Sequence, residues 1–513
     1  MSNLLDSPRL RRLERELERA ATYAEWLAVA TEHDRVTGAD AWRASDETDL
    51  LHAASIRRSI ARLQRMRAAG EGWALLDRFQ EALFRHQGEF VQPELYHHAL
   101  TGTKQVVTDF FDELQACLAY LLEVEVDGVD DAYRLEQLKR IGRVYGRPAL
   151  LLSGGALLGL YHFGVIKTLF EQDLLPRTIS GSSMGSIMAA WTCCHTDDEL
   201  RAMFADLSLI PRDALERLPM REMLRQGTVM DQAKLGRFLA KVLPDMTFAE
   251  SLQRSRRILN VTVSPLATRQ TPRLLNYLSA PDVLVRRAVL ASCAVPLVFK
   301  PVQLQARRPG KPVEPWMTDE LWVDGSVGGD LPFQRLTQML SINHFITSQA
   351  NPHVVPFQAL VGEGKGLVSA AARMNRRILQ GASAEVLDFA RRIVPGERLR
   401  DLLSGVHSVA SQEYASSDMH IQLPFRPALY AKVLSNPTFR EFQQYIRIGE
   451  QATWPRLAMI RDRTRISRLI GTHIGVLMRR IEAAAPRLDA AGPSRLGRRR
   501  SPARSNSIKS QMP

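Results

Sequence analysis

Arg177-Thr-Ile-Ser-Gly181-Ser-Ser183-Met-Gly185-Ser-Ile-Met-Ala-Ala190 is the stretch on which the fold turns. Its centre is a Gly-x-Ser-x-Gly pentapeptide. A short apolar run precedes it, and small residues lead into a helix-favouring run after it. Strand, sharp turn, serine, helix is the layout of a nucleophile elbow. Glycines at 181 and 185 fit that layout, because a serine at the tip of such a turn leaves no room for neighbouring Cβ atoms. A helix starting behind Ser183 offers free backbone N–H groups and partial positive charge to a developing oxyanion. Ordinary small-residue turns also produce this pentapeptide, so the surrounding chain has to decide.

Upstream, Pro148-Ala-Leu-Leu-Leu-Ser153 reads as a buried strand, Gly154-Gly155-Ala156 as a glycine loop, and Leu157 to Gln172 as a helix. A phosphate-binding loop is the competing reading. It lacks support, because residues 156 and 157 are Ala and Leu, which leaves no Gly-x-Gly-x-x-Gly, and no Walker lysine follows. A loop whose N–H groups line an oxyanion hole fits better. Downstream, Arg257 to Ser264 reads as a strand, Asn276 to Pro281 as a loop and Asp282 to Ala291 as a helix. In Leu321-Trp-Val-Asp324-Gly325 an aspartate closes a short strand; Asp-Gly is also a common plain turn. Strands alternating with helices predict an α/β sheet with reactive residues at the carboxyl ends of strands, where Ser183 and Asp324 both fall.

The 513 residues suffice for several domains, and an apolar fraction of 45% predicts a mostly globular chain. Sixty-eight Lys and Arg against 55 Asp and Glu give +13, a balance suited to an anionic membrane surface or nucleic acid. The arginines fall largely on helix-like stretches and in the tail, which favours the membrane surface, so no nucleic-acid partner is expected. Cys117, Cys193, Cys194 and Cys293 have no metal-ligand spacing and read as free thiols in a reducing, cytoplasmic setting. Nothing calls for a cofactor or metal. The amino terminus lacks the apolar core of a signal peptide. The most apolar window, Ala149 to Ile166, holds four glycines with Ser153, Tyr161 and His162, and reads as strand, loop and helix rather than a membrane span. A soluble or peripheral protein is expected.

Residues 1–145 read as a helical domain. Arg9 to Ala30 and Ala53 to Met66 are amphipathic, and Val106 to Leu121 repeats at i, i+3, i+4. His97-His98 reads as an exposed pair rather than a metal site. Residues 346–484 read as a mainly helical extension that completes the core, with a late strand at Met419 to Pro424 and helices from Phe439 to Arg480 broken at Pro455. Arg373, Arg376 and Arg377, then Arg391 and Arg392, give two basic helices that read as solvated faces, with a membrane interface as the alternative. Residues 485–513 read as a disordered basic tail.

With glycine loop, elbow and Asp-Gly in hand, the sequence resembles the patatin-like phospholipase family. The resemblance rests on Leu152 to Val165, Gly181 to Gly185, Ala291 to Pro301 and Val323 to Ser326, in that order. It extends to the branch of fungal and plant lipid-droplet triacylglycerol lipases. The matching pieces there are Asn276 to Pro281, Asn351-Pro-His353, Ala452 to Pro455 and, near the end of a helical amino-terminal domain, Gly102-Thr-Lys104. The resemblance implies a three-layer α/β fold with a mostly parallel sheet and a catalytic domain over 148–345. It also implies a Ser–Asp dyad of Ser183 and Asp324, with Gly154, Gly155 and Ala156 supplying oxyanion N–H groups and Gly181 and Gly185 framing the elbow. The implied partner is a lipid ester at a membrane or lipid-droplet surface; oligomeric state is not implied. An unperturbed aspartate, with a pKa of about 3.9, is a weak base for serine, and partial burial raises it. The chain departs from the family at Ala156, where a third glycine is usual, and at Leu158, where a basic residue often stands.

Three readings follow. The first is a serine acyl hydrolase of lipid esters, an acylglycerol lipase ahead of a phospholipase A or lysophospholipase with acyltransferase activity. The second is an α/β-hydrolase with a Ser183, Asp324, His353 triad, against which the glycine loop and Asp-Gly context speak. The third is a catalytically weak lipid-surface scaffold. His162 and Cys293, inside the matching motifs, read as packing residues.

Overall fold

The computed structural model describes residues 7–87, 90, 92–124, 129–267, 271–325, 331–351, 419–424, 429, 433 and 435–484. The two expected basic helices with Arg373, Arg376, Arg377, Arg391 and Arg392, the alternative triad histidine His353, and the tail 485–513 lie outside the described residues.

The amino-terminal region is built from α1 (Ser7–Arg19), α2 (Tyr23–Thr37), α3 (Ala39–Ala44), α4 (Ala53–Ala68), α5 (Gly72–Gln87), α6 (Gln105–Glu123) and α7 (Asp131–Tyr145). The helix-favouring stretch Arg9 to Ala30 forms two helices, because Thr22 takes an extended conformation and its side chain caps α2 by accepting the Glu25 N–H. The α6 stripe of Val106, Val107, Phe110, Phe111, Leu114, Cys117 and Leu118 is buried, as its spacing predicts. Gly102-Thr-Lys104 works as a clip. The Lys104 ammonium donates to the carbonyls of Trp42, Ser45 and Glu47 at 2.7, 2.9 and 2.9 Å and lies 4.2 Å from the Trp42 ring centre. It thereby satisfies carbonyls at the end of α3 that no helical N–H can reach. Desolvation pulls its pKa below the ordinary lysine value. Just before it, Asp34 accepts from the Leu100 and Thr101 N–H groups, both at 2.9 Å. His98 stacks on Trp42, and no group of metal-ligating residues occurs among the described residues.

The strands are β1 (Arg147–Leu152), β2 (Thr178–Gly181), β3 (Ile258–Pro265), β4 (Arg273–Leu275), β5 (Gln305–Ala306), β6 (Glu314–Pro315), β7 (Trp322–Asp324), β8 (Ile342–Gln349) and β9 (Met419–Gln422). Apart from β5 and β6, which pair with each other, they form one sheet in the order β4-β3-β2-β1-β8-β9, with β7 also paired to β3. β1, β2, β3, β8 and β9 run parallel; β4 and β7 run against β3. β8 runs across residue 345 and β9 extends the sheet, so residues after 345 supply strands as well as helices.

The other helices are α8 (Tyr161–Glu171), α9 (Met184–Cys194), α10 (Asp197–Ala205), α11 (Met220–Gln226), α12 (Gln232–Val242), α13 (Phe248–Ser255), α14 (Val285–Ser292), α15 (Phe333–Leu340), α16 (Phe439–Thr453) and α17 (Leu457–Ala484). The expected break at Pro455 is a 3-10 turn, Trp454–Arg456, between α16 and α17. The helix expected from Leu157 is a 3-10 turn, Ala156–Leu160, followed by α8. Successive residues of β1 show why the sheet needs cover on both faces. Leu150 and Leu152 join the large core with Tyr161, Phe163 and Ile179, whereas Ala149 and Leu151 face Phe333, Leu336 and Leu340 of α15. The result is a three-layer α/β fold. On the large-core side α8 and α16 touch backbone to backbone: a Cβ on Gly164 would lie 1.9 Å from the Ile446 carbonyl oxygen, and one on Gly449 would lie 2.1 Å from that of Tyr161. Among the described residues no helix is long and apolar enough to cross a membrane.

Candidate active site

Ser183 follows β2 and starts α9 with φ 52° and ψ −124°. A non-glycine residue held there stores about 1–3 kcal/mol of strain, so the surroundings must enforce it. They do so by close approach. A Cβ at 181 would fall 2.2 Å from the Gly185 carbonyl oxygen, and a Cβ at 185 would fall 2.2 Å from that of Leu152. Both glycines of the pentapeptide are therefore required by backbone contacts. The Ser183 N–H donates to Ser292 Oγ at 3.0 Å, and the Ser292 hydroxyl donates to the Thr262 carbonyl at 2.7 Å. Ser292, fully buried, thus ties the elbow to β3. On the other side the Ser186 hydroxyl donates to the Ser183 carbonyl at 2.6 Å.

Register places Asp324. On β3, Val261 pairs with Gly181 of β2 on one edge and Leu275 of β4 on the other. Val263 pairs with Arg273 of β4 and with Asp324 of β7. The edge not taken by β4 is therefore shared: β2 occupies it as far as Gly181, and β7 enters it from the opposite direction to end at Asp324. The aspartate thus lies in the lane directly beyond the strand that launches Ser183. Its N–H donates to the Ala294 carbonyl at 3.0 Å, and its residue is fully buried. Gly325 is required too, since a Cβ would lie 2.3 Å from the Thr262 carbonyl oxygen.

The glycine loop leaves β1 level with the elbow, because Leu152 pairs with Gly181. Gly155 has φ 155°, and a Cβ there would approach the Ala350 carbonyl oxygen to 2.8 Å. Ala156 has φ 47°, the left-handed region that glycine enters freely and alanine at a cost of about 1–2 kcal/mol. The departure from a third glycine therefore leaves the backbone course in place and strains it. The Ser153 hydroxyl donates to the Gly154 carbonyl and accepts from the Ala350 N–H, both at 2.8 Å.

His162 does more than pack. Burial depresses its pKa to about 3, so the ring is neutral. Its Nε2 lies 3.0 Å from the Ser153 carbonyl, which can only accept, and its Nδ1 lies 2.7 Å from Ser348 Oγ. The contact to the Ser153 carbonyl requires the Nε2–H tautomer, while the Ser348 hydroxyl donates to Tyr161 Oη at 2.9 Å. Through the Ser153 carbonyl this ring fixes the peptide that presents the Gly154 N–H. The Cys293 thiol is pushed far above its ordinary range by burial and by the negative charge of Asp324. It remains protonated and has no nucleophilic character. Of the sequence-read residues, Ser183, Asp324 and the loop 154–156 converge at the carboxyl edge of β1, β2 and β3. The sequence alone points to no role for Ser292, Ser153 and Ser348; Ser292 and Ser153 stand inside the matching motifs, but the partners of Ser292 are 109 and 30 residues away.

The family model Patatin-like phospholipase matches residues 150–337, and the model Domain of unknown function (DUF3336) matches residues 5–143. Triacylglycerol lipase ptl3 of Schizosaccharomyces pombe is 32% identical over 91% of this chain and 97% of its own length. Triacylglycerol lipase 5 of Saccharomyces cerevisiae is 31% identical over 88% of this chain, and Triacylglycerol lipase SDP1L of Arabidopsis thaliana 32% identical over 94%. The chain spans 63% and 61% of the length of these last two. Likeness along nearly the whole of the fission-yeast relative, on a sheet that delivers the glycine loop, elbow and Asp-Gly to one edge, places this chain in the patatin-like phospholipase family.

Proposed function

We propose that this protein hydrolyses lipid carboxylic esters, with acylglycerols as the preferred class, through a Ser183–Asp324 dyad and an acyl-enzyme. The observation that carries the reading is the strained elbow at Ser183 sharing one lane of the sheet with Asp324. The relatives named as triacylglycerol lipases support the choice of substrate class. In this reading residues 148–345 carry the catalytic core and residues 1–145 a helical accessory region.

Ser183 Oγ attacks the ester carbonyl while its proton passes to the Asp324 carboxylate. Negative charge on the former carbonyl oxygen is met by N–H groups of Gly154, Gly155 and Ala156. The C–O bond to the alcohol breaks, and the alcohol oxygen takes the proton from Asp324. Water then attacks the acyl-serine, gives its proton to Asp324 and releases the fatty acid as Ser183 Oγ is reprotonated. His162, neutral and turned to the Ser153 carbonyl, serves orientation rather than proton transfer.

The test is fatty-acid release from triolein, diolein and phosphatidylcholine dispersions by wild type, Ser183→Ala and Asp324→Ala. Loss of at least about 10³-fold in both variants is expected, with triolein or diolein preferred. Activity that survives Ser183→Ala sinks the proposal. A preference for phosphatidylcholine reassigns it to a phospholipase. His353→Ala retaining most activity is the outcome expected of a dyad.

A further inference from the structure

The three most exposed large apolar side chains among the described residues are Leu224, Met220 and Leu209, at 80%, 68% and 62%. All three fall in one segment, and two lie on α11. No residue of α11 is buried, although Met220, Met223 and Leu224 are apolar. At 100° per residue these three form one stripe; Arg221 follows about 60° beyond Leu224, whereas Arg225 lies on the opposite face with Glu222. The carboxylate of the helix, Glu222, is on the far side and bonds to Gln226 at 2.6 Å and Arg225 at 2.7 Å. Arg217, just before the helix, is exposed as well. The neighbouring acids Asp213 and Glu216 face Lys234.

This helix stands on a short platform joined to the candidate active site. The Leu218 N–H donates to the Val229 carbonyl, and Arg217 bridges Met230. The Val229 and Met230 N–H groups donate to the Leu297 and Val298 carbonyls at 3.2 and 3.1 Å. That segment follows Ala294, whose carbonyl holds the Asp324 N–H.

We propose that α11 is the element that seats the protein on a phospholipid-covered lipid surface. Met220 and Leu224 insert among acyl chains, and Arg217 and Arg221 meet anionic headgroups at the rim of the apolar stripe. The proposal deepens the lipid-ester reading by naming the surface on which the same site meets its substrate. An exposed apolar stripe gains free energy by leaving water, and arginine stems cover apolar surface while their heads stay at the headgroups. A stripe bordered by Arg221, with Arg217 just before it and the Glu222 carboxylate turned away and paired to Arg225, complements an anionic interface rather than a second apolar protein face.

The test is flotation with vesicles of phosphatidylcholine, with and without phosphatidylserine, in the Ser183→Ala background so that turnover does not consume the surface. Met220→Glu/Leu224→Glu is expected to weaken partitioning at least about tenfold. Arg217→Gln/Arg221→Gln should remove the extra binding due to phosphatidylserine and its salt sensitivity. Both pairs are on the surface, so folding is not at stake. With Ser183 present, hydrolysis of a dissolved short-chain ester should stay within about twofold while hydrolysis of emulsified triolein falls with partitioning. Unchanged partitioning of the glutamate variant overturns the proposal. So does wild-type self-association in sedimentation that the glutamate variant abolishes while vesicle binding persists, because a second copy then covers the stripe. Partitioning is read without catalysis, so a wild type inactive on every ester would refute the catalytic reading and leave this one standing.

Discussion

Replacing Gly449 by Ala tests how the fold supports the glycine loop. Gly449 of α16 faces α8 so closely that a Cβ would sit 2.1 Å from the Tyr161 carbonyl oxygen and 3.0 Å from both Gly164 Cα and the Val165 nitrogen. Carbon and oxygen settle at about 3.3 Å or more, so the helices must part by about 1 Å. The obstructing atoms are backbone, so no side chain can swing aside. Overpacking of this kind costs about 1–3 kcal/mol, and the upper end applies where backbone is struck. The better helix propensity of alanine returns about 1 kcal/mol, leaving a net loss of about 2 kcal/mol. Function should suffer more than stability. α8 carries His162 and Tyr161, and His162 holds the Ser153 carbonyl at the mouth of the loop. A displacement near 1 Å of oxyanion donors costs on the order of 10²-fold in rate. Gly471→Ala on α17 is the matched control: nothing lies within 4 Å of its added Cβ, and it should gain up to about 1 kcal/mol. Denaturant midpoints and kcat on a dissolved ester provide the readouts. Gly449→Ala as stable and as active as Gly471→Ala would refute the backbone-contact argument.

Further predictions concern single hydrogen bonds and charges. Ser292→Ala strips the acceptor from the Ser183 N–H and the donor from the Thr262 carbonyl; about 1–3 kcal/mol of stability should be lost, and labelling of Ser183 by a fluorophosphonate should slow. Ala156→Gly removes left-handed strain of about 1–2 kcal/mol but adds about 0.4–1 kcal/mol of unfolded-state entropy, so melting should hold steady or rise slightly; a clear drop would contradict it. Asp462 accepts the Tyr96 hydroxyl at 3.0 Å, and burial lifts its pKa to about 6 despite Arg461, Arg465 and Arg43 nearby. Its folded value lies above its unfolded one, so its contribution to stability is complete below about pH 4 and is lost as pH rises through 6. Asp462→Asn should therefore be more stable at pH 7.5, by at most about 3 kcal/mol before allowing for its partial exposure, with no gain at pH 4. His162 acts in the opposite sense: with a folded pKa near 3 and an ordinary value of 6.5, it favours the folded state above pH 6.5 and loses that contribution as pH falls. In His162→Gln the acid-side loss of stability between pH 6.5 and 4, followed by thermal denaturation, should be shallower.

The amino-acid sequence by itself determined the elements that local chemistry specifies. The run Ala149 to Leu152, the glycines at 154, 155, 181 and 185, and the Asp324-Gly325 pair stand in short local patterns, so strand, loop, elbow and strand end were legible, although the contacts that require Gly155, Gly185 and Gly325 come from distant residues. The α6 stripe was legible because a helix repeats its buried face at fixed spacing. Tertiary structure alone decided what lies far apart in the chain. That β2 and β7 share one edge of β3, which brings Asp324 into the lane of Ser183, depends on pairings among residues 178–181, 258–265 and 322–324. Ser292 and Ser348 act through hydrogen bonds that span 30, 109 and 186 residues, and no local pattern encodes them. The same holds for Lys104, whose capped carbonyls lie 57 to 62 residues upstream, and for Gly449, ordinary in its own helix but forced by the backbone of α8. Local propensity and periodicity fix what a segment becomes. Which partners it meets depends on sheet order and helix contact, which only the packed chain establishes.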